Sequence, residues 1–261
     1  MNNTVICYYS NIENNSFSDE SFALIELWKE NWLEKGWNPV VLDEDYARAN
    51  KIIESVNFED FGSNLYRFSI NGPQYLIQCY YKWLAYTRFI IENGVTLWCD
   101  YDVYNHSLDF TKHQQKFGRP SLYCGSGAVG LMNEELSKKW LFYLQEFYNY
   151  NAEDTTNEKF QKILARGEVN DMMILKSFLA SEDSFSRCPL CFNFDVDPEK
   201  VKGIDVVFDI DFIRTGWSLF HIHGGLTYDN NKLDIQSIDI PENCTTRLSR
   251  LEYVKSILNN K

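Results

Sequence analysis

Val95-Thr96-Leu97-Trp98-Cys99-Asp100-Tyr101-Asp102 is the stretch that decides how this chain folds. An apolar, partly β-branched run is followed at once by two acids one residue apart, as expected of a buried strand that ends in a polar turn. Just upstream, Asn71-Gly72-Pro73 opens a helix. Its buried stripe runs through Leu76, Cys79, Tyr80, Trp83, Leu84, Thr87, Ile90 and Ile91 and stops at Asn93-Gly94. A long amphipathic helix that feeds directly into an apolar strand is half of a βαβ unit and predicts a parallel sheet.

Further toward the N-terminus the same grammar repeats. Thr4 to Tyr9 reads as a buried strand, and Asp19 to Glu34 as a helix with Leu24, Leu27, Trp28 and Trp32 at helical spacing. Gly36 sits where a helix cap belongs, and Pro39-Val40-Val41-Leu42 is a second strand ending in Asp43-Glu44-Asp45. Strand, helix and strand in that order imply a right-handed parallel crossover. Downstream, Ser121 to Cys124 and Ala128 to Met132 read as strands around a glycine turn. Asn133 caps a helix with Glu134 and Glu135 in its first turn. Gly167 to Leu179 and Arg247 to Leu258 read as helices, and Val206 to Phe212 and Trp217 to His223 as late strands. With no repeat or linker composition, residues 1–261 read as one α/β domain.

Composition narrows the function. Lys and Arg total 25 against 37 Asp and Glu, a net charge of −12, which argues against a nucleic-acid binder because phosphate neutralisation needs a basic surface. A nucleotide ligand stays open, since a metal ion can supply positive charge locally. No signal-type or membrane-spanning apolar run is present, so the expected location is cytoplasmic. Seven scattered cysteines suit reduced thiols, and the lone Cys188-Pro-Leu-Cys191 lacks the second pair a structural zinc site wants. Aromatic residues make up 16%, which either fills a core or lines sugar and base pockets.

Asp-x-Asp occurs at Asp43/Asp45, Asp100/Asp102, Asp195/Asp197 and Asp209/Asp211, and context separates the four. Ligands of open α/β sheets bind beyond the carboxyl ends of strands, and only Asp100/Asp102 follows an apolar strand fed by a strong helix. Two carboxylates so placed can share a hard divalent cation. His221 and His223 alternate along a late strand, so both imidazoles fall on one face before Gly224-Gly225. Asp171 opens a helix, where it is either a cap or a site residue.

The stretch Lys82 to Asp102 resembles the core of nucleotide-sugar-dependent glycosyltransferases of the GT-A fold, and is similar in particular to the DxD sugar-transferase family that includes the large glucosylating toxins. That family carries Gly-Gly-x-Tyr-x-Asp-x-Asp; this chain has Asn93-Gly94 and Trp98 at the corresponding places and Ala85 where an Asp precedes the arginine. The resemblance implies a single GT-A-like, Rossmann-like domain with a mixed, mainly parallel sheet flanked by helices, its residues 1–105 a nucleotide-sugar donor half and 106–261 an acceptor half. It implies a metal-dependent hexosyltransferase that takes a nucleotide-diphosphate sugar donor and a glycan or other hydroxyl acceptor. On this view Mn²⁺ or Mg²⁺ is held directly by Asp102, with Asp100 acting through water or on the donor ribose, and His221 or His223 completes the metal site. Arg88 and Asp100 contact the donor, Tyr8, Ser10 and Asp43 lie where the base is read, and Asp171 faces the acceptor. Lys82 reads as a surface lysine.

Two other readings compete. Gly125-Ser126-Gly127-Ala128-Val129-Gly130 fits G-x-G-x-x-G and would suit an NAD(P)-dependent oxidoreductase if a helix opened within it. A GT-A-like protein that binds a sugar nucleotide or glycan without catalysis is the other.

Overall fold

The computed structural model describes residues 3–10, 18–49, 73–106, 108–110, 121–122, 129–148, 158, 161, 171–180, 186–187, 219–221, 244 and 246–259. Within them the chain is a mixed α/β structure. Strand β1 (Thr4–Tyr8) leads to α1 (Ser18–Glu34), β2 (Asn38–Leu42) and a short α2 (Glu44–Arg48). Then come α3 (Pro73–Asn93), β3 (Thr96–Cys99), β4 (Val103–Asn105), β5 (Ser121–Leu122) and β6 (Val129–Met132). The remaining elements are α4 (Glu134–Tyr148), α5 (Asp171–Ala180), β7 (Ser186–Arg187), β8 (Leu219–His221) and α6 (Arg247–Asn259).

The main sheet has the order β2-β1-β3-β6-β5-β7. β1 pairs in parallel with β2 and β3, β5 pairs in parallel with β7, and β6 is antiparallel to both β3 and β5. The sheet is therefore mixed, with its parallel part where the sequence predicts it. A separate antiparallel ladder joins β4 to β8, with Val103 opposite His221. The expected strand over Val206 to Phe212, the Cys188/Cys191 pair and the first four residues of the helix expected from Gly167 lie outside the described residues.

Strand alternation sorts the core into two layers. Ile6, Tyr8, Trp98 and Met132 face α3, α4 and α5. Val5, Cys7, Leu97, Cys99, Val129 and Leu131 face α1 and Leu251 of α6. Helices thus cover both faces of the sheet, which is what the near-continuous apolar character of β1 and β3 requires. Among the described residues, many aromatics are core: Trp32, Trp37, Trp83, Trp98, Trp140, Tyr80, Tyr86 and Phe178 are fully buried. Trp83 packs edge-on against both Trp98 and Trp140, at centroid distances of 5.7 and 5.3 Å.

The turn out of α1 fixes how β2 is entered. Gly36 has φ +78°, its N–H bonds the carbonyl of Leu33 at 3.0 Å, and Trp37 N–H reaches back to Trp32 at 3.1 Å. This is the double bond of a Schellman cap, and the Trp32 and Trp37 rings meet edge-on at 5.5 Å in its hydrophobic contact.

Candidate functional site

The strand order carries the first clue to the site. From β1 the chain crosses to β2 on one side, then returns through α3 to β3 on the other side of β1. The carboxyl ends of β1 and β3 are a topological switch point, where connections diverge to opposite faces and leave a crevice. Tyr8, Tyr9 and Ser10 leave β1 there, and Asp100-Tyr101-Asp102 leaves β3 as a turn.

Helix α1 holds the segment that carries this turn. Trp28 Nε1–H donates to Cys99 Sγ at 3.2 Å, Trp32 Nε1–H to the Val103 carbonyl at 3.3 Å, and Trp37 Nε1–H to the Leu108 carbonyl at 2.7 Å. Asn31 closes a reciprocal pair with the Asn105 backbone, at 2.8 and 2.6 Å. The tryptophans that fill one core layer therefore also fix the backbone on either side of the acidic turn.

The two carboxylates of the turn serve different layers. Asp100 points toward α3, where Lys82 Nζ lies 3.5 Å from its Oδ1. The same ammonium lies 3.5 Å from Asp171 Oδ2, so the two carboxylates are bridged by one lysine. Asp171, the first residue of α5, is only 3% exposed, and it also accepts the Trp83 Nε1–H at 2.8 Å. Burial works against the Lys82 charge, but Asp100 and then Asp171 outweigh it and hold the ammonium well above the usual lysine range. Lys82 is thus a buried counter-ion and not the surface lysine expected from the sequence.

Asp102 faces the other layer. Arg247, at the start of α6, places Nη1 3.5 Å from Asp102 Oδ2 and donates from the same nitrogen to Tyr101 Oη at 2.9 Å. The Tyr101 hydroxyl also lies 3.3 Å from Ser21 Oγ, and its ring meets Tyr9 edge-on at 5.9 Å.

The remaining expected residues are placed as follows. The Tyr8 hydroxyl donates to Gln78 Oε1 at 2.5 Å, and Gln78 Nε2 donates on to Glu44 at 2.8 Å, so Tyr8 joins β1 to α3 and α2. Burial and then the Glu44 charge push the Tyr8 phenol upward. Ser10 follows, half-buried. Asp43 caps α2, accepting Tyr46 N–H at 2.8 Å. Arg88 stacks on the Tyr46 ring at 4.1 Å, donates to the Tyr46 carbonyl at 2.8 Å and pairs with Glu92 at 2.9 Å. It therefore clamps α2 to α3 and, among the described residues, is engaged by Tyr46 and Glu92 and not by the acidic turn. His221 pairs by backbone with Val103, one residue beyond Asp102; His223 lies outside the described residues.

Among the described residues no group of three or more His, Cys, Asp or Glu is gathered as a metal cage. Two hard-oxygen carboxylates at one turn suit instead a magnesium- or manganese-type ion that takes most of its ligands from a substrate's phosphates. Carboxylate oxygen is the donor such an ion takes, and in this structure Asp100 and Asp102 offer it to opposite layers, against Lys82 and Arg247.

The glycine run behaves as strand where it is described. Gly130 belongs to β6, opposite Trp98, and the next helix opens only at Glu134, capped by Asn133 Oδ1 accepting Leu136 N–H at 2.8 Å. A dinucleotide site needs the helix to open within the glycines. Gly125 and Gly127 lie outside the described residues.

Two site residues escaped the sequence reading. Lys82 left a signal: it lies three residues after Cys79 and four before Tyr86, on the buried stripe of α3, where a lysine needs an acidic partner. Arg247 left none, because nothing in a 145-residue separation announces the contact with Asp102. Beneath the site, burial pushes the thiols of Cys7, Cys79 and Cys99 well above their usual range. Native alkylation at pH 8 with mass-spectrometric mapping should therefore spare these three and modify the part-exposed Cys244. Rapid labelling of Cys7 or Cys99 would show that the central strands are open to solvent.

The chain matches no protein-family model and no curated protein. No helix among the described residues is long and apolar enough to cross a membrane.

Proposed function

We propose that this chain is a glycosyltransferase that moves a sugar from a nucleotide-diphosphate sugar to a hydroxyl acceptor with the help of Mn²⁺ or Mg²⁺. One observation carries the reading: the acidic turn Asp100-Tyr101-Asp102 leaves β3 at the switch point beside β1. A nucleotide laid across that crevice has Tyr8, Tyr9 and Ser10 on one side and the acidic turn on the other. Asp102, with Asp100, would hold the cation, which supplies charge neutralisation for the diphosphate leaving group. Asp171, almost wholly buried and held by the Trp83 indole and Lys82, would meet the acceptor hydroxyl once the Lys82 bridge to Asp100 opens. The three tryptophan N–H bonds from α1 and its end keep the turn rigid, so positioning is built in before ligand arrives.

A thermal-shift panel of UDP-, GDP-, CMP- and dTDP-sugars, each with and without Mn²⁺, tests the reading. One nucleotide class is expected to stabilise the protein, and only with metal present. Stabilisation indifferent to metal, or none from any member, would count against it.

A further inference from the structure

Arg247 does more than close the fold. It is the first residue of α6, its side chain is largely buried, and it lies against the carboxylate that the acidic turn offers to a cation. Burial opposes its charge, while Asp102 and then Tyr101 favour it, and the net effect holds the guanidinium above its ordinary range. A guanidinium and a divalent cation cannot both sit closely on one carboxylate without strong mutual repulsion at that range.

The docking of α6 is correspondingly light. Of its described side chains, Leu251 is buried in the core layer, Leu248 is packed against that layer in part, and Arg250 is buried with its Nε on the Cys244 carbonyl at 3.1 Å. The other ties at its start are polar: Arg247 to Asp102 and to Tyr101, and the Leu248 N–H to Glu20 Oε1 of α1 at 2.9 Å. Thr246 caps the helix internally, exchanging bonds with Ser249 at 3.0 and 3.1 Å. Between α1, the acidic turn and α6 lies a cavity of about 90 Å³, lined by Trp28, Asn31, Asp102 and Leu251 among others. An element held by a few polar ties over an unfilled space is one that opens at low free energy.

We infer that Arg247 is the resident counter-ion of Asp102, and that a divalent cation binds Asp102 by displacing it, which loosens the first turn of α6 from the acidic turn. The C-terminal helix is thereby part of the cation site and reports its occupancy: docked when Asp102 holds Arg247, released when Asp102 holds metal. This inference rests on the cation reading of the acidic turn, and linkage makes it reciprocal, since whatever stabilises the docked helix weakens cation binding.

The test uses the full chain and Mn²⁺ alone, without nucleotide. Mn²⁺ affinity is measured by electron paramagnetic resonance for the wild type, Arg247→Met, Arg247→Lys and Asp102→Asn, and amide exchange of residues 247–255 is followed with and without saturating Mn²⁺. Arg247→Met is expected to bind Mn²⁺ at least tenfold more tightly than the wild type, Arg247→Lys within threefold of it, and Asp102→Asn at least tenfold more weakly. In the wild type Mn²⁺ should speed exchange at the start of α6 by threefold or more. The exchange readout decides, because removing any nearby positive charge favours a cation, whereas only displacement frees the helix; it also stands if Arg247→Met fails to fold. Mn²⁺ binding that depends on Asp102 but leaves α6 exchange unchanged overturns the inference and leaves the cation reading intact. Mn²⁺ binding that ignores Asp102→Asn, or no binding by any of the folded proteins, overturns both.

Discussion

Gly130→Ala is expected to destabilise the protein by about 3 kcal/mol, a large fraction of the roughly 5–15 kcal/mol that holds a domain folded. Gly130 sits in β6 directly opposite Trp98 of β3. A β-carbon there would fall inside the contact radius of Trp98 Cζ2 and Cη2, and 2.8 Å from Cε2. The indole cannot retreat, because it is fully buried and packed edge-on against Trp83. The backbone cannot retreat either without breaking the β3–β6 ladder. Overpacking of this kind forces strain into either the rotamer or the sheet. Gly36→Ala makes the contrast: its positive φ disfavours a side chain, but nothing lies within 4 Å of the new carbon, and about 1 kcal/mol is expected. Urea denaturation of the two variants separates them. A Gly130→Ala protein with a wild-type midpoint would mean that Trp98 does not cover β6 as described. Replacing Trp98 by Leu in the Gly130→Ala background should recover part of the loss.

Lys82→Met is the second large effect, with an expected loss of about 3 kcal/mol. Met matches the apolar stem but removes the charge that Asp100 and Asp171 share. Asp171 has a side chain only 4% exposed, so its carboxylate would be left in the interior with the Trp83 N–H to satisfy it and no cation beside it. Breaking a buried pair by removing one partner is more harmful than never having had it, since the stranded charge keeps its desolvation penalty. Adding Asp171→Asn to Lys82→Met should therefore restore stability relative to Lys82→Met alone. A double-mutant cycle by chemical denaturation reads that coupling directly. Strict additivity of the two substitutions would show that the lysine and Asp171 do not act as a pair.

How much of this was legible in the sequence follows from which physical signals are local. The buried stripe of α3 and the apolar runs of β1 and β3 are periodic, and they foretold the parallel core and the acidic turn at its edge. The sheet is less uniformly parallel than that core alone suggests, because β6 runs antiparallel to both β3 and β5. Short elements such as β4 and α2 carry too few residues for a period to register. The Asp100–Lys82–Asp171 bridge was half legible, through a lysine on an apolar stripe. Arg247 on Asp102 was not, because tertiary contacts between distant polar residues leave no spacing to read. Arg88 shows the converse: a residue singled out by resemblance is engaged by Tyr46 and Glu92 in holding two helices together.

The most direct test of the central claim is calorimetric titration of the protein with the nucleotide sugar that stabilises it in the thermal-shift panel, in Mg²⁺ and in EDTA, for the wild type and Asp102→Asn. Saturable binding by the wild type in Mg²⁺, lost in EDTA and weakened at least a hundredfold by Asp102→Asn in a protein of unchanged stability, is the result predicted. Equal binding by wild type and Asp102→Asn, with or without metal, would contradict it.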